Sequence, residues 1–312
     1  MSIFPIKVLL ATDGSEQADL ALKTAVTLAE NTDSELHVVV VEELPYAYDA
    51  PAVKSPASGF FLEAHERARK RLDRELEKVR SAGEGGRVAE AHLRVGTAAR
   101  EIVALAEEIE AGLIVLGSRG LGGVRRALMG RVSMSVVHHA HCSVLVVRGS
   151  GHREGGGYVL GKVLLAYDGS KEASAAARVA AELSNATGSE LHLLYVVASE
   201  PYPPSFDYVS YEEAEVREAR EANLERDEER ARSFVEGKAR RMEREGAKVS
   251  EALLSFGRPG HEIVELAEEL DAGLVVVGSR GRGGLKRTLM GSVSDSVVRH
   301  AHCPVLVVCP EK

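Results

Sequence analysis

Cysteine is scarce. The chain holds three, Cys142, Cys303 and Cys309, too few and too scattered for a disulfide framework or a four-ligand zinc site. They read as reduced, packed thiols of a cytosolic protein. Positive charge is also in deficit: 39 Lys and Arg stand against 47 Asp and Glu, a net charge of −8. The first 150 residues carry 18 basic and 20 acidic side chains and the remainder 21 and 27. Neither half has the basic excess of a nucleic-acid surface. No apolar run reaches the roughly 18 residues that a membrane span needs, and no signal-peptide pattern opens the chain. These absences lead to the expectation of a cytoplasmic protein with neither a membrane nor a nucleic-acid partner.

What is present is ordinary globular material, 45% hydrophobic and 28% charged over 312 residues, enough for about two domains. A repeat supports that division independently. Gly117 to Val147 and Gly278 to Val308 agree at 23 of 31 positions, and a period near half the chain means two domains of one kind rather than a solenoid. In each copy buried apolar runs alternate with helical patterns. Ile6–Ala11, Leu36–Val41, Val88–Val95 and Leu113–Leu116 read as strands, followed by a fifth before Arg148. Strands alternating with helices predict an α/β fold with a parallel sheet covered on both faces. Residues 1–148 and 159–312 are the expected domains, joined by a polar linker at 149–158 that contains Gly-Ser-Gly-His-Arg-Glu-Gly-Gly-Gly.

Asp13 and Asp168 lie 155 positions apart but Gly117 and Gly278 lie 161 apart, so the second copy carries six more residues. They fit best between Pro201 and Gly246, in a loop and a charged helix over about 210–245. That helix reads as a solvated face laced with i,i+4 pairs, or alternatively as a partner-binding surface.

The chemistry gathers where strands one and four end. Asp13-Gly-Ser and Asp168-Gly-Ser follow the first strand; Gly117 and Gly120, or Gly278 and Gly281, open a loop after the fourth. Gly130 or Gly291 then begins a short helix. Glycines let backbone approach an anion and a helix start points N–H groups at it, so this layout can hold a phosphate chain. In open parallel sheets the ligand crevice lies at the carboxyl edge where the strand order reverses. A carboxylate there can hold Mg²⁺ bridging phosphates, which makes Asp13 and Asp168 candidate metal ligands. Each Asp can instead cap the next helix or fix a turn, the glycines can mark tight turns, and Ser292 can be a plain N-cap.

These features resemble the universal stress protein family, specifically its nucleotide-binding branch: the Asp-Gly-Ser after strand one, the G-x2-G-x9-G-(S/T) loop and the closing Pro-Val-Leu-Val-Val strand. The resemblance covers both halves. It implies two repeated doubly wound five-stranded parallel-sheet domains, adenine nucleotide alpha hydrolase-like and Rossmann-like. It also implies ATP with Mg²⁺ across the carboxyl edge, fifth strands pairing domain to domain as an intrachain pseudo-dimer, and chains able to associate further as a homodimer. Carried over, Asp168 sits near metal and phosphates and Val196 meets adenine through its backbone. Gly278, Arg280, Gly281, Gly291, Ser292, Val293 and Ser294 cradle ribose and phosphates. The first half offers Asp13, Val41, Gly117, Gly120, Gly130, Arg131, Val132 and Ser133.

Arg131 departs from the pattern, which places Ser or Thr there. It either clamps phosphates as a cation or closes a retired site, and the second site is expected to be the better one. The loop lacks the Gly-Lys-Ser/Thr of the common P-loop, and no Ser-His-Asp or Cys-His arrangement is legible. His138, His139, His141, His300 and His302 suit helix ends better than a metal. The expectation is an ATP-binding regulatory or stress-response protein without robust catalysis. Its rivals are an interaction module that binds no nucleotide and a slow ATP-hydrolysing or adenylyl-transferring enzyme.

Overall fold

The computed structural model describes residues 7–43, 59–82, 88–120, 129–149, 160–198, 214–281 and 290–310. The first unit runs β1 (Lys7–Ala11), α1 (Glu16–Thr32), β2 (Glu35–Glu42), α2 (Gly59–Ala82), β3 (Val88–Val95), α3 (Ala98–Glu108), β4 (Leu113–Gly117), α4 (Arg131–His139) and β5 (Ser143–Val147). The second repeats it: β6 (Lys162–Ala166), α5 (Lys171–Thr187), β7 (Glu190–Ala198), α6 (Ala214–Arg244), β8 (Val249–Gly257), α7 (Pro259–Glu269), β9 (Leu274–Gly278), α8 (Ser292–His300) and β10 (Val305–Val308).

The ten strands form one sheet in the order β3-β2-β1-β4-β5-β10-β9-β6-β7-β8. Within each unit all pairs are parallel, as continuous Val/Leu runs buried on both faces predict. The order reverses between β1 and β4, and again between β6 and β9. The two units meet where β5 and β10 pair antiparallel through Val144↔Val307, Leu145↔Leu306 and Val146↔Val305. The expected pairing of fifth strands is thus the seam of the molecule.

Strand alternation sorts the core into two layers. Val8, Leu10, Val38 and Val40 face α1 and α2, while Leu9, Val39, Ile114 and Leu116 face α3 and α4; in the second unit α5 and α6 share the first layer and α7 and α8 the second. Both layers run without a break across the seam. Arg148 ties it further, donating to the carbonyls of Val298, Arg299 and Ala301 at the carboxyl end of α8, where a cation satisfies last-turn acceptors.

The extra residues of the second copy fall where the spacing puts them. The offset is 155 through β2 and β7 and 161 from β3 and β8 onward, and α6 spans 31 residues against 24 for α2. The described part of α6 bears the solvated reading, with Arg232–Glu228, Arg240–Glu236 and Arg241–Glu245 paired along its exposed face. Two residues depart from expectation. Ser292 is not an N-cap, because Gly291 occupies that position. Glu42, the first residue of the surface loop that composition predicts at 42–60, ends β2 buried between Arg67 and Arg71. Asp13 follows β1 in the turn expected after Ala11. Cys142 and Cys303 are free thiols, each pushed by burial up to about 12, as packed thiols should be. Residues 44–58 of the loop expected at 42–60, the beginning of the Pro201–Gly246 loop and helix up to 213, the linker beyond Gly149 and the middles of both glycine loops, 121–128 and 282–289, lie outside the described residues.

Candidate functional site

The Asp-Gly-Ser segments fold the same way in both units. Asp168 Oδ1 accepts from the Ser170 amide at 2.9 Å and Asp13 Oδ1 from that of Ser15 at 3.0 Å. The intervening glycines turn through positive φ, +78° at Gly14 and +84° at Gly169, which a side chain would strain. Ser15 and Ser170, not the aspartates, cap α1 and α5 through Ala18 and Ala173. One carboxylate oxygen therefore builds the turn while the other faces the glycine loop.

That second oxygen explains Gly120 and Gly281. A Cβ on Gly281 would lie 2.6 Å from Asp168 Oδ2, and one on Gly120 only 2.3 Å from Asp13 Oδ2. The loop backbone rests directly on the carboxylate. Gly117 and Gly278 have a different reason: a Cβ there would meet α1 backbone at Gln17, or α5 backbone at Glu172 and Ala173, at 2.7 Å. They set how closely helix and strand pack. Gly130 and Gly291 are N-caps without a side chain, and their amides bond to the carbonyls of Ser118 and Ser279. This fastens the far end of each loop beside its beginning.

The first turn of α8 is thus left with no side-chain cap, its amides at Ser292, Val293 and Ser294 opening at the sheet edge. The Ser294 hydroxyl is turned inward to the Gly278 carbonyl at 2.6 Å, as Ser133 is to Gly117 at 2.7 Å. These serines offer a ligand their backbone rather than their side chain. Ser292 is exposed at the first helical position, where the first unit has exposed Arg131. Val132 stands beside it on α4, half-buried.

In the second unit these parts surround a cleft of about 1040 Å³, at the upper end of what small-molecule sites occupy. Asp168, Val196, Gly278, Arg280, Gly281, Gly291, Ser292, Val293 and Ser294 all line it, so the structure brings every second-unit candidate together. Tyr167, Leu194, Tyr195 and Ile263 supply an apolar wall. Val196 has a particular place. The last bond from β6 to β7 runs from the Tyr167 amide to the Leu194 carbonyl. Backbone groups two residues apart face the same neighbour, so the polar groups of Val196 project past the end of β6. Val41 takes the matching place in the first unit, two residues beyond the Val39 carbonyl that accepts from Thr12. In that unit the candidates cluster as well, Asp13 against Gly120 and Ser133 against Gly117.

An anion fits the second cleft on this chain's own chemistry. Arg280 pairs its Nη2 with Glu172 at 3.1 Å and lines the cleft as a cation beside the glycine loop. The glycine cradle and the uncapped helix start add neutral donors to that cation.

Residues that the sequence does not place at the site also matter. His138 of the first unit reaches into the second unit's cleft and lies 2.8 Å from Asp295 on α8. His139 and His300 bond to carbonyls four residues back within their own helices. Beneath Asp13, buried Glu75 takes the Thr12 hydroxyl at 2.7 Å and Lys78 at 2.8 Å. The second unit has Tyr167 for Thr12, stacked with Phe234 under Lys238. The swap of Thr for Tyr inside two otherwise equal Lys-Val-Leu-Leu-Ala-x-Asp-Gly-Ser segments was the available signal. Among the described residues no helix is long and apolar enough to cross a membrane.

Comparison with known proteins agrees with this fold. Residues 6–148 and 160–309 each match the sequence model of the Universal stress protein family. A universal stress protein of Mycolicibacterium smegmatis is 29% identical over 311 residues, covering 97% of both chains. One from Methanocaldococcus jannaschii is 35% identical over 143 residues, 46% of this chain and 81% of that protein. The crystal structure of a universal stress protein from Archaeoglobus fulgidus superposes with a TM-score of 0.64 at 25% identity, over 97% of this chain and 95% of the other.

Proposed function

The chain belongs to the universal stress protein family, and from that membership we propose that it is a cytoplasmic, ATP-binding regulatory protein whose principal site is the cleft of the second unit. The observation that carries this reading is the cleft itself: all nine second-unit candidates line one cavity, the Arg280 cation among them. The α8 amides and Arg280 receive the phosphates, the exposed backbone at Val196 meets the adenine edge, and Tyr195 and Ile263 flank the base. Mg²⁺ bound with the triphosphate would neutralise phosphate charge, and Asp168 is the carboxylate placed to hold it.

A binding role suits these side chains better than catalysis. The Ser294 hydroxyl is spent on the Gly278 carbonyl, and the histidines at the cleft are engaged by Asp295 and by the Ser135 carbonyl. Bound nucleotide would instead stiffen the start of α8, which carries the contact to His138 across the seam.

The test is calorimetric titration of the intact chain with Mg-ATP, beside Gly281→Asp and Gly120→Asp. The expected result is one site per chain, lost only in Gly281→Asp, because a carboxylate there would collide with Asp168 and repel it. Loss only in Gly120→Asp would move the site to the first unit. No binding at any concentration would overturn the nucleotide reading and leave an interaction module.

A further inference from the structure

At the other end of the first unit's strands lies a cluster that the nucleotide reading does not use. His37 is the third residue of β2, and Glu90 and His92 stand two apart on the edge strand β3. The register pairs His37 with Glu90 and Val39 with His92, with an irregularity at Leu36/His37. His37 and His92 are therefore diagonal neighbours on one face, within reach of each other. Their nitrogens, His37 Nδ1 and His92 Nε2, are 3.2 Å apart, and the rings stack at 17°. Glu90 Oε2 lies 3.9 Å from His92 Nε2. One ligand atom from each residue falls within 4.8 Å of the other two.

We propose that His37, His92 and Glu90 form a binding site for a zinc-class divalent cation at the amino edge of the first unit's sheet. Tetrahedral zinc bound at its usual Zn–N distance holds two nitrogens about 3.3 Å apart, the separation already present here. The exposed Glu90 carboxylate lies within 4.8 Å of both nitrogens and is free to close on the ion, and its exposure leaves a fourth position open to water.

The other ring nitrogen of His37 has an outer partner at hand. His37 is 5% exposed, and its other ring nitrogen, Nε2, is buried with no hydrogen-bond partner. Glu35 Oε2 sits 3.6 Å from that atom. When Nδ1 takes the metal, the ring proton moves to Nε2 and faces Glu35. That is the carboxylate–histidine–metal relay by which outer partners orient a ligand. The cation thus resolves both the buried nitrogen pair and the orphaned one.

The second unit supplies a built-in control. His192 matches His37, with Glu190 and Glu251 at 3.5 and 3.6 Å, but Leu253 stands where His92 would be. One imidazole and two exposed carboxylates are a weaker set for zinc, so one ion per chain is expected.

The experiment is calorimetric titration of the chelator-treated, full-length chain with Zn²⁺ alone, with Co²⁺ absorption as the ligand readout. One ion per chain is expected, with tetrahedral Co²⁺ bands and no thiolate charge-transfer band. His92→Leu, which installs the second unit's own residue, should weaken binding by about 100-fold or more, beyond what losing an outer partner does. Glu90→Gln, at an exposed position, should weaken it while leaving metal-free unfolding unchanged. No bound ion, a thiolate band, or affinity indifferent to both substitutions would overturn the assignment and leave a shared-proton histidine pair.

Discussion

His138 and Asp295 come from different halves of the chain and lie 2.8 Å apart, linking the end of α4 to the first turn of α8. Burial alone would raise the Asp295 pKa, but hydrogen bonds from Arg299 and then His138 outweigh it and hold the carboxyl below its ordinary range. A carboxylate depressed in the folded state stabilises above its unfolded pKa, and that contribution is lost as pH falls through the folded value. The pairing is therefore present from about pH 5 upward and fades below about pH 4. Asp295→Asn should cost about 0.5–1 kcal/mol in urea unfolding at pH 6 and measurably less at pH 3. A cost that is equal at both pH values would show that the charge is not what matters.

Gly278→Ala and Gly281→Ala should fail in different ways. At Gly278 the obstacle is α5 backbone at 2.7 Å, which cannot yield without moving the helix, so a loss of about 1–3 kcal/mol is expected. At Gly281 the obstacle is Asp168 Oδ2 at 2.6 Å, one oxygen of a side chain whose other oxygen the Ser170 amide holds, and a twist of the carboxylate about that bond yields more easily than a helix. Stability should change by less than about 1 kcal/mol while Mg-ATP affinity falls by roughly tenfold or more, since the displaced group is the proposed ligand. Urea unfolding and calorimetry on both variants separate the cases.

The buried Glu75 predicts an asymmetry between the units. Thr12→Val removes a hydroxyl that the carboxylate accepts at 2.7 Å, leaving Glu75 to Lys78 and to water it cannot easily reach. The expected cost is about 1–3 kcal/mol. Tyr167→Phe, at the equivalent position, keeps the stacking on Phe234 and should cost less than about 1 kcal/mol. Equal costs would mean that Glu75 finds another donor.

What could be read in advance divides along physical lines. The inner strands were legible because parallel strands buried on both faces are near-continuous apolar runs, and the edge strand β3 falls at Val88–Val95 as its alternation indicates. The six added residues were legible because two repeat offsets bracket them. The candidate site was legible as a set of positions, because glycine and aspartate at strand ends are local signals. Their reasons were not. Gly281 and Gly278 look alike in a motif, and only the packed chain shows one against a carboxylate and the other against a helix. Glu42 and Glu75 read as surface charges, since nothing local reveals that Arg67 and Arg71 close over one and Thr12 and Lys78 over the other. The contact of His138 with Asp295 spans 157 positions and exists only once the fifth strands pair.

Arg131 provides the sharpest remaining comparison. It stands at the first position of α4, exposed, where the second unit has Ser292. A cation at a helix start opposes the macrodipole by about 0.3–1 kcal/mol, so Arg131→Ser should raise stability slightly without nucleotide. The other first-unit parts are in place: Asp13 against Gly120, Gly130 as a bare N-cap and Ser133 turned inward to Gly117. If the arginine is what closes this site, Arg131→Ser should raise Mg-ATP stoichiometry from one to two per chain, with the added site lost again in Arg131→Ser/Gly120→Asp. A wild-type chain that already binds two, and falls to one in Arg131→Ser, would show instead that the guanidinium holds the phosphates.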